Sequence, residues 1–174
     1  MTPTKWHHAK MQEIERKYLV FGDEFRNEVC RTMHLAQGYI CSRRVTARVR
    51  ISDNEAFLTF KGKSRDKGLS RFEWERQIPL GVAKHLLARC RGVVEKYRHI
   101  VEYEGYTFEV DEFLGENRGL IVAEVELSST TEQPPLPQWC GEEVTSNPCF
   151  RNSFLAKKAL QAVEEKLRMG KTTT

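Results

Sequence analysis

The chain has 174 residues, 40% of them hydrophobic and 30% charged, and a formal net charge of +4. That is enough chain for one buried core, but the positive excess is too small to argue for a nucleic-acid duplex as partner, and the longest apolar runs fall far short of a membrane span. Five cysteines, an odd number with no CxxC spacing, argue against a zinc site or a disulfide framework and fit reduced thiols in a cytoplasmic protein.

Residues 1–10 contain no apolar h-region and read as a flexible leader that includes His7 and His8. The segment 13–20 then alternates. As a strand it places Glu13, Glu15 and Lys17 on one face and Ile14, Tyr18 and Val20 on the other. Carboxylates two residues apart on a strand lie roughly 6.5–7 Å apart, close enough to grip a hard cation with its water, and the neighbouring ammonium suits a phosphate oxygen. A short helix is expected over 23–31, with Asp23 as N-cap. The alternation returns in 46–51, with Arg48 and Arg50 opposite Val49 and Ile51, and in 57–61, with Thr59 and Lys61 opposite Leu58 and Phe60. Residues 62–68 form a polar hairpin loop. In 71–78, Arg71, Glu73 and Glu75 oppose Phe72, Trp74 and Ile78, which puts Trp74 on a packed outer face.

Proline opens a helix over 79–91 with Leu80, Ala83, Leu86, Leu87 and Cys90 at helical spacing, ending before Gly92. Strand patterns follow at 95–99 (Lys96 and Arg98), 108–111 (Glu109 and Asp111) and 122–127 (Glu124 and Glu126), with Gly105 in a turn. The Gln133–Pro137 stretch is a stiff loop. A last helix is expected over 152–168, with Asn152 or Ser153 as N-cap and Gly170 past its end; 171–174 reads as a tail.

Many short alternating strands indicate an antiparallel sheet or barrel. An ordinary half-buried sheet would turn its charged faces to water. Here the charges are sorted into acidic pairs and basic pairs, and helical apolar stripes are available to cover the outside of a sheet. A closed barrel with a charged interior satisfies these features, with acidic and basic pairs facing each other across a tunnel. Such an interior must stay wet or hold a neutralising ligand. A polyphosphate with Mg²⁺ or Mn²⁺ fits: the guanidinium groups of Arg48, Arg50 and Arg98 hold phosphate oxygens, and the carboxylates hold the metal.

The ordered set Glu13-Ile14-Glu15-Arg16-Lys17, Gln37-Gly38-Tyr39, Arg48-Val49-Arg50, Thr59-Phe60-Lys61, Leu69 to Glu75, Glu95 to Arg98, Phe108 to Asp111, Val122 to Glu126 and Gly141 to Thr145 resembles the CYTH domain, the triphosphate tunnel metalloenzymes. The resemblance spans about 11–160. It implies an α+β fold: a closed eight-stranded antiparallel β-barrel with helices packed on its outside, formed by a single domain over 11–170. It further implies Glu13, Glu15, Glu124 and Glu126 as metal ligands, helped by Glu73, Glu75 or Asp111. Lys17, Arg48, Arg50, Lys61, Lys96 and Arg98 would bind phosphate, with Arg71 also in the tunnel. Glu13, Glu15, Lys96 and Tyr39 would stand nearest the chemistry.

Known members hydrolyse inorganic triphosphate or thiamine triphosphate, remove RNA 5′-phosphates, or cyclise ATP. The compact form of this chain is most similar to the inorganic tripolyphosphatases. Inorganic tripolyphosphate is therefore the expected substrate and Mg²⁺ or Mn²⁺ the cofactor, with no nucleic-acid duplex or membrane as partner; a homodimer is compatible with the sequence. A class IV-type adenylyl cyclase, a thiamine triphosphatase, and a non-catalytic polyphosphate- or nucleotide-binding module are the alternatives. The chain departs from the family at Asn147 and Cys149, where Asp and Arg are common. Cys149 lacks a paired histidine, so it reads as a packed or surface thiol. His34, His85 and His99 read as surface or packing residues.

Overall fold

The computed structural model describes residues 13–41, 46–62, 70–90 and 92–158. The expected leader, most of the 62–68 loop, the later part of the last helix and the tail lie outside the described residues. Because a strand presents alternate side chains to opposite faces, the alternating segments can bury both sorts of residue only by pairing in register. They do so as a ten-stranded sheet: β1 (Glu13–Val20), β2 (Val29–Cys41), β3 (Thr46–Ser52), β4 (Glu55–Lys61), β5 (Ser70–Arg71), β6 (Glu73–Gln77), β7 (Val93–Tyr103), β8 (Tyr106–Phe113), β9 (Ile121–Glu126) and β10 (Cys140–Glu143). The order is β10-β1-β9-β8-β7-β2-β3-β4-β6, with β5 paired to β1. The β7–β8 hairpin turns on Glu104-Gly105, both at positive φ (45° and 82°), the pair of conformations a two-residue hairpin of matching twist requires and glycine adopts freely.

The expected antiparallel sheet with few helices is present, while closure of an eight-stranded barrel is not seen in its hydrogen bonds. Among the described residues no ladder joins β6 to β10, so hydrogen bonds do not close the sheet into a ring. The outer edge of β1 is shared instead. β10 pairs at Tyr18 and Val20, while β5 pairs at Glu13 and Ile14. Only Phe72 separates β5 from β6, and β6 pairs with β4. This short run brings the β4–β6 margin of the sheet back beside β1.

The helices differ from expectation as well. The segment expected to be helical over 23–31 is a 3₁₀ turn, Glu24–Glu28, without a side-chain cap from Asp23. Val29 already begins β2, where it pairs with Val101: cross-strand pairing outweighs the weak local propensity. The helix expected over 79–91 is α1 (Leu80–Leu87), and it does cover the outer face of the sheet: Ala83, Leu86 and Leu87 pack with Val49, Ile51 and Leu58. Trp74 lies on the outer side as expected, against Phe60 (centroids 5.6 Å apart), but it is only half-buried, and Phe60 and Phe72 are exposed.

Helix α2 (Asn152–Leu155) corrects the placement of all helices on the outside. With the 3₁₀ turn Pro148–Phe150, it packs Cys149, Phe150 and Leu155 against Val94, Phe113 and Val122. Those three share strand faces with Lys96, Asp111 and Glu124, so this segment covers one end of the inward face. The apolar residues there leave no charged surface for water to solvate, and burying them against a helix is the favourable alternative. Across the sheet, Tyr18, Phe25, Phe108, Val110 and Trp139 form the main outer core.

The Gln37-Gly38-Tyr39 motif has a packing reason. Gln37 and Tyr39 point inward, and Gly38 meets the end of the α1 region. A Cβ there would sit 2.6 Å from Cys90 Sγ and 3.0 Å from Leu87 Cδ2. Gly38→Ala should therefore lower stability by about 1–3 kcal/mol through overpacking. Gly81→Ala, whose added Cβ would meet nothing within 4 Å on a helical backbone, should raise it by about 0.4–1 kcal/mol. Thermal melts of both variants test the packing; equal shifts would contradict it.

Candidate active site

Antiparallel register places the sorted charges beside one another. Tyr39, Arg48, Thr59 and Glu75 form one row across β2, β3, β4 and β6, and Lys61 pairs with Glu73. On the other side, Arg98 opposes Asp111, and Lys17, Glu124 and Glu109 form a row. The basic and acidic pairs thus meet mostly sideways, along the wall, rather than across the lumen as the sequence suggested.

Two networks result. In the first, Arg48 Nη2 donates to Glu73 (3.3 Å), Glu75 (3.1 Å) and Thr59 Oγ1 (3.2 Å). Arg50 Nη2 donates to both oxygens of Glu75 (3.0 and 3.2 Å) and its guanidinium lies 5.2 Å from the centroid of Phe57. Lys61 Nζ bridges Glu73 (2.5 Å) and Glu13 (3.4 Å). In the second, Arg98 binds Asp111 through Nε and Nη2 (2.7 Å each), reaches Glu124 (3.1 Å), and pairs with Glu109. Lys96 pairs with Asp111, and Lys17 joins Glu124 to Glu15 (3.2 Å). Glu13 and Glu15 on β1 bring the two networks together.

The charges are buried: Lys96 is 0% and Asp111 1% exposed. Burial alone would raise the Glu124 carboxyl, but Lys17, Arg98 and Lys96 outweigh it and hold it well below the usual carboxylate range. Burial pushes the Lys96 ammonium down to about 8, against the pull of Asp111. The site is therefore charged at neutral pH, which is tolerable only because each charge is paired.

Two donors are left over. Among the described residues, Arg48 Nε and Arg50 Nε are buried and have no hydrogen-bond partner, and both belong to guanidinium groups that suit phosphate oxygens. Every carboxylate in the networks is a hard oxygen donor, which suits a divalent cation such as Mg²⁺. Among the described residues no three acidic, histidine or cysteine side chains converge as a metal site requires. The reason is visible at Lys17, whose ammonium stands between Glu15 and Glu124 as a cation in a carboxylate cleft. The donor set fits a divalent ion once the lysine yields.

The CYTH domain family matches residues 11–154. The chain belongs to the CYTH domain family. It is 40% identical over 157 residues to an inorganic triphosphatase of Acetivibrio thermocellus, covering 88% of this chain and 99% of that protein. It is 37% identical over 152 residues to an inorganic triphosphatase of Nitrosomonas europaea, covering 84% and 97%. A solved structure of an inorganic triphosphatase superposes with a TM-score of 0.60 at 34% identity, covering 84% of this chain and 98% of that one.

Of the residues that the CYTH resemblance singles out, Glu13, Glu15, Lys17, Arg48, Arg50, Lys61, Glu73, Glu75, Lys96, Arg98, Asp111 and Glu124 join these networks. Tyr39 is buried beside them and accepts a hydrogen bond from Gln37 Nε2 (2.9 Å). Glu126 is the register partner of Glu15 but is exposed. Arg71 contributes its backbone to β5; its side chain lies outside the described set.

Some members of the site were not singled out from sequence. Thr59, fully buried, donates to Glu75 (2.6 Å) while accepting from Arg48. Asn152, expected as an N-cap, makes no cap bond, and its Oδ1 instead accepts from Lys96 Nζ (3.4 Å). Thr145 Oγ1 accepts from the backbone N–H of Lys17 (3.0 Å) and donates to Glu143 (2.6 Å), which holds Arg16 (3.1 Å). The inward parity of Thr59 was the available signal; nothing local marks the others. At the family departure, Asn147 accepts from the Cys149 N–H (3.0 Å), capping the turn, and Cys149 packs into the apolar end as a free thiol. His99 is buried on the outer side, in keeping with a packing role.

Asp111 answers two buried cations, so Asp111→Asn should cost about 3–5 kcal/mol. Glu112→Gln, one residue along and facing out to the half-exposed Arg26, should cost no more than about 1 kcal/mol. Denaturant unfolding of the two variants checks the assignment of faces.

Proposed function

We propose that this protein is a divalent-metal-dependent inorganic triphosphatase, a hydrolase of phosphoric anhydrides acting on tripolyphosphate in the lumen of a closed tunnel formed by one domain over 11–170. The observation that carries this reading is the pair of unpartnered guanidinium donors, Arg48 Nε and Arg50 Nε, inside a wall of paired charge. The high-coverage similarity to inorganic triphosphatases supports it. A phosphate oxyanion suits those donors best, as a charge-assisted acceptor, and a ligand that also draws Lys17 and Lys61 from their carboxylates must carry several negative charges.

Arg48, Arg50 and Arg98 grip phosphate oxygens, with Lys17, Lys61, Lys96 and Arg71 completing the positive lining. Glu13, Glu15, Glu124 and Glu126 would hold a divalent cation, Mg²⁺ or Mn²⁺, with Glu73, Glu75 and Asp111 beside them. When bound, the cation would neutralise phosphate charge and lower the pKa of a coordinated water. The fixed cations orient the phosphate chain for in-line attack and stabilise the charge that develops on the leaving phosphate. A carboxylate released by its lysine, Glu13 or Glu15, accepts the proton of the attacking water. Tyr39, held by Gln37, presents its hydroxyl beside Arg48 at the same wall. No serine, cysteine or histidine nucleophile is required; burial pushes the Cys140 thiol up to about 12, which removes it from such a role.

Phosphate release measured on tripolyphosphate and ATP, with Mg²⁺, Mn²⁺ or excess EDTA, tests the proposal. Tripolyphosphate should be the faster substrate, and EDTA should abolish turnover. Arg50→Ala should raise KM about tenfold to a hundredfold, the worth of one or two hydrogen bonds to a charged group. Preference for ATP, or turnover surviving EDTA, would sink the reading.

A further inference from the structure

The outer wall of the sheet carries a second concavity, independent of the reading above. A trough of about 530 Å³ lies between the Glu24–Glu28 turn and the loop that follows β8. Its floor is the register row Tyr97–Glu112–Ile121, with His99 beside it. The polar groups of the floor are already committed to one another. Both oxygens of Glu112 accept from Arg26 (3.0 and 2.9 Å), and Oε2 is 3.2 Å from His99 Nε2. The other ring nitrogen of His99 lies 2.9 Å from Thr32 Oγ1. Arg26 is further tied to Asp23 (2.8 Å).

Two groups are not committed. Arg118, on the loop wall, is exposed; its backbone N–H donates to Gly115 O (3.1 Å), and its guanidinium has no hydrogen-bond or ion-pair partner among the described residues. Tyr97 is 41% exposed, and the His34 ring meets its ring in an edge arrangement (5.4 Å, 60°). Arg26 is shared between Glu112 and Asp23, so among the cations that line the trough the one without a carboxylate partner among the described residues is the Arg118 guanidinium. The trough is open to solvent, and apolar surface from Leu114, Ile121 and the Tyr97 ring lies beside its fixed polar groups.

We propose that this trough binds a flat ring bearing one anionic group, the chemistry of a nucleoside monophosphate, with the ring against Tyr97 and the anion on Arg118. A polyphosphate is the wrong ligand here, because a single free cation cannot answer several charges. Orthophosphate alone would leave the apolar lining unfilled.

Calorimetric titration with AMP, adenosine and orthophosphate decides the matter, with Ca²⁺ and saturating tripolyphosphate included in a second series. AMP should bind more tightly than either fragment and should persist in the presence of tripolyphosphate. Arg118→Ala should weaken AMP at least about tenfold, towards adenosine, as loss of a charge-assisted bond predicts. Tyr97→Ala should weaken AMP and adenosine together, while Arg50→Ala should leave both unchanged. Absence of AMP binding, displacement of AMP by tripolyphosphate, or loss of AMP binding in Arg50→Ala instead of Arg118→Ala would overturn the site. These outcomes are separate from the hydrolysis assay, so failure of one proposal is not mistaken for failure of the other.

Discussion

The cost of burying charge governs this molecule. A sheet whose inward face carries Lys96, Arg98, Asp111 and Glu124 can form only if each charge meets its opposite, and antiparallel register is the device that arranges it. β7 is basic and β8 acidic at matched positions; β3 and β4 are basic where β6 is acidic; Lys17 on β1 lies beside Glu124 on β9. A slip of one residue would turn these side chains to the apolar outer core and the outer-core residues inward. The ion pairs therefore act on register as well as on stability. The same pairing explains why the inward face is acceptable without ligand, although it was plainly not selected for hydrophobic burial.

The network is complete in pairs and incomplete in donors. Arg48 and Arg50 each spend Nη2 on carboxylates and keep a buried Nε unanswered. A buried unpaired N–H is expensive, and an incoming oxyanion removes that expense. Lys17 and Lys61, each shared between two carboxylates, are placeholders of a different kind. An anion that attracts the lysine and a cation that accepts the carboxylates can replace one internal pair with two external ones. Binding of anion and cation should then be mutually dependent, because either alone leaves one half of the broken pair buried without a partner. The two arginines are held by Thr59, Glu73 and Glu75 without any ligand, so on the proposed reading the rearrangement falls on Lys17 and Lys61 and the arginines stay in place.

Much of this was legible in the sequence because period-2 alternation is a strong signal and charge sorting is rare on a solvated face. The inward parity of Glu13, Glu15, Lys17, Arg48, Arg50, Lys61, Glu73, Glu75, Lys96, Arg98, Asp111 and Glu124 follows from alternation alone. What alternation cannot carry is partnership at a distance. Asn152 looks like a helix cap and bonds Lys96; Thr145 lies 128 residues from the Lys17 backbone it fixes. The segment 23–31 misled because its composition suits a helix, while Val29 is claimed by pairing with Val101. The division of the β1 edge between β5 and β10 was equally invisible, since a two-residue strand has no period to detect.

The end of the sheet covered by α2 ties these points together. Toward that end the inward face changes from charged to apolar at Leu19, Val94, Phe113 and Val122, and Phe150 and Leu155 fill the space above them. Fully buried apolar surface of this kind has nothing to offer an anion. The charged stretch of the lumen therefore has a floor, and Lys96, with Asp111 on one side, Asn152 on another and the Phe113 ring at 5.4 Å, stands where the two environments meet. Asn147 and Cys149 fall within the plug: one caps its turn, the other packs into it. Asn147 and Cys149 thus bear on how the floor is built, and through Asn152 on how Lys96 is held, while the charges of the wall stay paired as the register dictates.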